Sequence, residues 1–326
     1  MEQSVNRELG NAPGNRINLA EGVDITELNA HRQTISSLAG IEHLTHLNQL
    51  DVGNNSVRDI SFLSSLVNLT SLDLRFNRVE DISALSSLTN LTSLDLGYNR
   101  VEDVSSLSGL TNLTTLDLSQ NQIQDPSVLS YLTNLTTLDI SLTEISDLSF
   151  LETLTNLTTL NLSQNQIQDL SILSNLTNLT TLDISLNGIS DLSFLETLTN
   201  LTTLNLSQNQ IQDLSVLSSL TNLTTLDISL NGISDISPLA DLTGIVNLEL
   251  SGNEISDISI LRNLTSIHSL NLYENNIDDI SSLIENSGLL AGDTVGLGRN
   301  TLDLSASSDD LDNIKVLRDR GVVVYQ

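Results

Sequence analysis

Five aspartates recur at intervals of 22 residues: Asp51, Asp73, Asp95, Asp117 and Asp139. Carboxylates in a regular row can hold a cation, or raise one another's pKa. In a cleft with unequal surroundings they can also do acid–base work. That last role needs two carboxyls whose environments separate their pKa values. A row of equivalent aspartates provides no such difference, so it argues against catalysis. On successive turns of a stacked chain, neighbours would lie roughly 4.8 Å apart. Two unit charges at that distance repel by about 0.9 kcal/mol in bulk water. Three readings follow: a weak Ca2+ site, a surface for a cationic partner, or a solvated face that keeps the chain soluble.

A second constellation breaks the acidic background. Phe76 and Tyr98 stand one 22-residue step apart, as do Arg78 and Arg100, with Arg75 beside Phe76 and Asp73 and Asp95 close by. Exposed aromatics with arginine are typical anchors of protein interfaces, so these seven residues are the candidate partner-binding patch. Cation–π stacking within the cluster is the alternative. A weaker group near the C-terminal end comprises His268, Tyr273, Glu274 and Arg299. Leu142, Leu186 and Leu230 recur every second step as either packing residues or a docking stripe. His43 and His46 are three apart but have no further ligand in obvious reach. There is no nucleophile elbow, phosphate-binding glycine loop or HExxH. The expectation is therefore no enzyme and no cofactor, weak Ca2+ apart.

These groups are carried by twelve 22-residue windows that run from 25 to 288 without insertion or deletion. Residues 201–222, LTTLNLSQNQIQDLSVLSSLTN, show the pattern. Apolar residues occupy window positions 1, 4, 6, 11, 14, 17 and 20, and Asn occupies position 9, with Gln33 and Thr143 as exceptions. Positions 3–7 predict a short parallel strand, with 4 and 6 inward and 3, 5 and 7 outward. The return half has apolar residues three apart, which suits a 3-10 turn. Asp at position 13 recurs eleven times, from Asp59 to Asp279, and is placed to cap that turn. Position-9 Asn is expected to turn inward onto backbone groups of adjacent turns. One window has about seven apolar side chains, at roughly 2 kcal/mol each. Ordering costs of about 1–2 kcal/mol per residue exceed that sum, so a turn needs its neighbours and caps.

This unit is the L-x-x-L-x-L-x-x-N pattern, and it resembles the 22-residue leucine-rich repeats of bacterial internalins. The eukaryotic phosphatase-1 regulatory repeat proteins use a similar unit. The resemblance implies a curved leucine-rich repeat horseshoe, with a parallel concave sheet and short 3-10 or helical convex segments. It also implies a non-enzymatic recognition module that binds a protein partner on the concave face. Alternatives are a structural or surface-layer protein with an acidic Ca2+-binding face, and a phosphatase-regulator-like scaffold.

Residues 1–24 are read as a loose tail and degenerate capping turn, and 289–326 as a C-terminal cap of a distorted turn, a helix and a strand. Residues 141–178 and 185–222 are nearly identical, the mark of a duplicated two-turn unit. NLT recurs nine times from Asn68 to Asn263, in step with the repeat, so it is read as structural rather than as glycosylation sequons.

The formal charge is −29, from 41 acidic and 12 basic residues, with no Lys or Arg between Arg100 and Arg262. That balance removes the attraction needed for nucleic acid or anionic membranes. No apolar run approaches the ~20 residues of a membrane span. The absence of cysteine excludes a disulfide framework and thiolate metal sites. The start, MEQSVNREL, does not read as a signal peptide. The reading is a monomer secreted from, or on the surface of, a bacterium, with the cytoplasm as the alternative.

Overall fold

The computed structural model describes residues 25–326. The tail and capping turn expected at 1–24 lie outside the described residues. Contacts divide the chain into two compact units, Met1–Asn165 and Gln166–Gln326. Each is a solenoid built on the same plan.

In the first unit seven three-residue strands pair in parallel in chain order. They are β1 (Glu27–Asn29), β2 (Gln49–Asp51), β3 (Ser71–Asp73), β4 (Ser93–Asp95), β5 (Thr115–Asp117), β6 (Thr137–Asp139) and β7 (Thr159–Asn161). In the second unit β8 (Thr181–Asp183), β9 (Thr203–Asn205), β10 (Thr225–Asp227), β11 (Asn247–Glu249), β12 (Ser269–Asn271), β13 (Thr294–Gly296) and β14 (Val323–Tyr325) do the same. The register is one repeat up to β12, so Asp51 faces Asp73 and Asp73 faces Asp95, and lengthens to 25 and 29 residues at β13 and β14.

The inward leucines form the core: Leu204 and Leu206, at positions 4 and 6, are fully buried, as are their equivalents Leu116 and Leu118. The strands stop at position 5 instead of continuing to 7. The position-5 side chain takes the position-7 amide, as in Ser119 N–H to Asp117 Oδ1 at 2.8 Å. That local turn removes the amide from the sheet ladder. Position 7 stays on the outward face beside position 5, as the 2.6 Å bond from Ser119 Oγ to Asp117 Oδ1 shows, but neighbouring side chains cover it, so Ser119, Ser163 and Ser207 are buried.

Position-9 asparagine turns in as expected. Asn77 donates from Nδ2 to the carbonyls of Val52 (3.0 Å) and Leu74 (2.9 Å), and its Oδ1 accepts from Val57 N–H at 2.9 Å. One amide thus satisfies backbone groups of two adjacent turns, which a solenoid without a helix on its return side would otherwise leave unpaired. The return halves form 3-10 turns such as Ser61–Ser65 and Ser215–Ser219. Position-13 aspartate caps them from one residue further out than a standard N-cap: Asp59 Oδ1 accepts the Ser61 amide, the first of the turn, at 2.9 Å. The Ser61 hydroxyl and amide hold this carboxyl below the usual range. The NLT triplets are indeed structural. Asn90 Nδ2 donates to Val67 O one turn back at 2.9 Å, and Thr92 Oγ1 to Thr70 O at 3.0 Å.

In the twelfth window the return segment becomes a short helix, α1 (Ser281–Glu285). A second helix, α2 (Asp309–Asp319), starts at Ser308, whose side chain accepts from the Leu311 amide. It is followed by Gly321 at φ 90° and by β14. Arg320 ties α2 to α1 by donating to Ile284 O at 2.6 Å and Asn286 O at 3.2 Å.

Candidate partner-binding face

Position 8 is where the chain leaves the strand, and it is left-handed in turn after turn. Asn54, Phe76, Tyr98, Gln120, Leu142 and Gln164 of the first unit have φ between 51° and 58°. Leu186, Gln208 and Leu230 of the second lie between 53° and 58°. Side chains other than Gly adopt this region at a cost of about 1–2 kcal/mol. The inter-turn ladder holds them there: Phe76 N–H donates to Gly97 O and Tyr98 N–H to Ser119 O. The consequence is a column of side chains held outward beside the strands. The signals in the sequence were Asn54 and Gly252, two residue types that favour this region, among twelve similar positions.

Phe76 and Tyr98 occupy adjacent places in this column. Their rings stack at 4.0 Å between centroids and 19° between planes, and each is 43 % exposed. The stacking is between the aromatics themselves. Arg75 instead points to the carboxylates, with Nε 3.3 Å from Asp73 Oδ2 and 3.9 Å from Asp95 Oδ2. Arg100 Nη1 lies 3.5 Å from Glu80 Oε1. The cation–π alternative is thus replaced by an aromatic pair with arginines tethered around it. Arg78 is exposed two residues beyond Phe76. An open groove of about 950 Å3 borders the patch, lined by Glu80, Arg100, Glu102, Gln120, Gln122 and Glu144 among others.

The aspartate row runs alongside. Burial raises Asp73, and repulsion from Asp51 adds to it, against the Arg75 amide and guanidinium. Burial is the leading cause at Asp117 too, opposed by the Ser119 hydroxyl and amide. Asp95 is pushed from 3.8 to about 7, by burial first and then by the Asp117 and Asp73 charges. Position 7 explains the difference. In turns with serine there, its Oγ donates to the carboxylate, at 2.6 Å for Ser119–Asp117 and Ser141–Asp139. Gly97 gives Asp95 only its amide, at 3.0 Å. The sequence pointed to mutual repulsion as the cause of raised values, whereas removal from water comes first.

The other candidates resolve unevenly. Tyr273, Glu274 and Arg299 come together: Arg299 lies 5.3 Å over the Tyr273 ring and 3.6 Å from Glu274. His268 instead has Nδ1 2.9 Å from Ser266 O. Leu186 and Leu230 are exposed, and Leu230 lies over the backbone of Gly252. His43 meets Glu42 at 3.9 Å, and among the described residues no metal cluster includes it. The cluster that does form is one that sequence reasoning missed: His31, Asp51 and Asp73.

A stack of such turns on one parallel ladder defines a leucine-rich-repeat protein. A family model for leucine-rich repeats in two copies matches residues 67–109, 111–153, 155–197 and 199–241. The crystal structure of the internalin inlF from Listeria monocytogenes is similar at 34% identity and a TM-score of 0.89, over 99% of this chain and 93% of that one. The functional domain of InlJ from the same organism is similar at 25% identity and 0.54, over 90% and 79%. That domain includes a cysteine ladder, and this chain has no cysteine. A leucine-rich-repeat protein of Leptospira interrogans shares the fold at 20% identity and 0.70, over 94% and 97%. No curated protein matches. The chain belongs to the leucine-rich-repeat family, as a bacterial internalin-like member. Among the described residues, no helix is long and apolar enough to cross a membrane.

Proposed function

We propose that this chain is a non-enzymatic protein-recognition module, exported to the surface or surroundings of a bacterium. Its strand side takes a protein partner at Phe76 and Tyr98. The observation that carries this is the stacked, exposed aromatic pair, held on left-handed backbone and ringed by Arg75, Arg78 and Arg100. A stacked pair presents a flat apolar area already ordered before binding, so a partner need not bear the entropy of fixing those rings. The adjoining Asp73 and Asp95 select a partner with basic groups beside its apolar anchor. The net charge of −29 argues against nucleic acid.

The test immobilises the protein beside a Phe76→Ala/Tyr98→Ala variant and measures the dissociation constant of any captured protein with each. Loss of about 2–4 kcal/mol is expected for removal of a central anchor. Equal binding by both forms would overturn the placement. A second reading rests on the aspartate row: a weak Ca2+ surface with a structural role. It requires a Ca2+-dependent rise in melting temperature that is lost in Asp95→Asn/Asp117→Asn.

A further inference from the structure

The first described turn contributes His31 at position 7, and its ring reaches over the next turn, where position 7 is Gly53. Three donor atoms converge there. A Cβ on Gly53 would stand 2.9 Å from His31 Nδ1, 2.9 Å from Asp73 Oδ1 and 3.2 Å from Asp51 Oδ1. His31 Nδ1 and Asp51 Oδ1 are themselves 3.3 Å apart. That matches the edge of a tetrahedron with bonds of roughly 2 Å, the geometry of a Zn2+ site with one imidazole and carboxylates. In later turns a serine Oγ fills this space and binds the aspartate, as Ser119 does at 2.6 Å. Glycine at 53 leaves the space to the imidazole.

The carboxylates are also aimed. Asp51 Oδ1 accepts the Gly53 amide at 2.9 Å and Asp73 Oδ1 accepts the Arg75 amide at 3.0 Å. Each keeps a lone pair for the shared space, the arrangement that outer hydrogen bonds give to metal ligands. The side chains are half-buried, at 23 % and 30 % exposure for His31 and Asp51, so water can complete the coordination.

The geometry points to a divalent transition-metal site, fitted to Zn2+, with His31 Nδ1, Asp51 and Asp73 as its protein ligands. The imidazole distinguishes it from a Ca2+ site, which takes oxygen ligands only, six to eight of them. An ion there would also draw Asp73 away from Arg75, and so touch the edge of the aromatic patch.

The experiment titrates tag-free protein with Zn2+ alone and with Ca2+ alone, by calorimetry at neutral pH. One equivalent of Zn2+ is expected to bind. His31→Ala and Gly53→Ser should each weaken it about 100-fold, with circular dichroism unchanged. His43→Ala/His46→Ala and His268→Ala should leave it as in the wild type. Ca2+ binding, where present, should not respond to His31→Ala. The inference is overturned by no Zn2+ binding, by Zn2+ binding that survives His31→Ala, or by Ca2+ binding that is as tight as Zn2+ and depends on His31.

Discussion

Replacing Asp95 by Asn should stabilise the protein, and only where Asp95 would be charged. An ordinary aspartate titrates near 3.8, and in the fold Asp95 is pushed to about 7. A raised folded pKa means the fold disfavours the charged form. The penalty is absent below about pH 4, grows as pH rises toward 7, and is complete above it. Three units would correspond to about 4 kcal/mol for a fully insulated group. The side chain is 24 % exposed and near Arg75, and solvent screening reduces the expectation to about 1–2 kcal/mol. The fold already contains the replacement. Asn161 and Asn205 occupy position 5 elsewhere, and each donates Nδ2 to the preceding aspartate's Oδ2 at 2.9 Å while Oδ1 accepts the position-7 amide at 3.0 Å. Asp95→Asn can make the same bonds, to Asp73 and from Gly97. The assay is urea unfolding of both proteins from pH 4 to pH 8. A gain of about 1–2 kcal/mol at pH 8 that fades toward pH 4 is expected. A gain independent of pH, or a loss at pH 8, would refute the argument that burial of charge is what matters. Gly97→Ser is a companion test: a hydroxyl at that position should lower the Asp95 pKa, as Ser119 holds down Asp117, seen as a shifted carboxyl titration by NMR.

Three further changes test the solenoid itself. Thr143→Asn should stabilise by about 1 kcal/mol, because Asn at position 9 would accept the Ile123 amide as Asn121 accepts Val101 N–H at 2.9 Å; thermal melting reads it. Asn121→Ala should cost about 3 kcal/mol, since it strips partners from the carbonyls of Leu96, Leu118 and Ser119, and amide exchange should rise around turns four and five. Gly288→Ala should destabilise by several kcal/mol, of the order of the larger overpacking penalties, because the added Cβ would fall 1.9 Å from the Thr265 carbonyl oxygen. Hydrogen exchange should show the loss concentrated at β13 and α1.

What could be read without a structure followed from strict periodicity. A 22-residue step fixes the register of the strand pairs from β1 to β7 and from β8 to β12, and a polar residue kept among buried leucines announces an internal hydrogen-bonding role, as position-9 asparagine shows. Two things were hidden. The left-handed position 8 is filled by Phe, Tyr, Gln and Leu, residues with no preference for that region, because inter-turn backbone bonds override local propensity. Position 7 reads in the sequence only as an outward-facing position, although in the serine turns its hydroxyl is buried and donates to the carboxylate two residues earlier. Read down that column, His31, Gly53, Arg75 and Gly97 come before the serines begin. The departure from serine was visible. Its meaning was not, because an imidazole placed over a glycine one turn away becomes apparent only when the turns are stacked.

The same comparison bears on whether the acidic row belongs to the fold or to a task. Asp139 is bonded by Asn161 from the next turn, and Asp183 likewise by Asn205, so an alternation of acid and amide suits this backbone. Serine at position 7 suits it as well, since its hydroxyl donates to Asp117, Asp139, Asp183 and Asp227. Turns two to four use neither device: Asp51, Asp73 and Asp95 succeed one another, with Gly53, Arg75 and Gly97 in place of serine. The result is a carboxyl pushed to about 7, a guanidinium shared between Asp73 and Asp95, and an imidazole facing Asp51 and Asp73. None of this is needed to close a turn, because neighbouring turns close without it. The stacked aromatics stand on the same turns as Arg75 and Gly97. Non-repeating chemistry within a repeating frame is where a partner or an ion can be told apart from the frame, so perturbations at His31, Asp95, Phe76 and Tyr98 should alter binding while leaving the stack of turns intact.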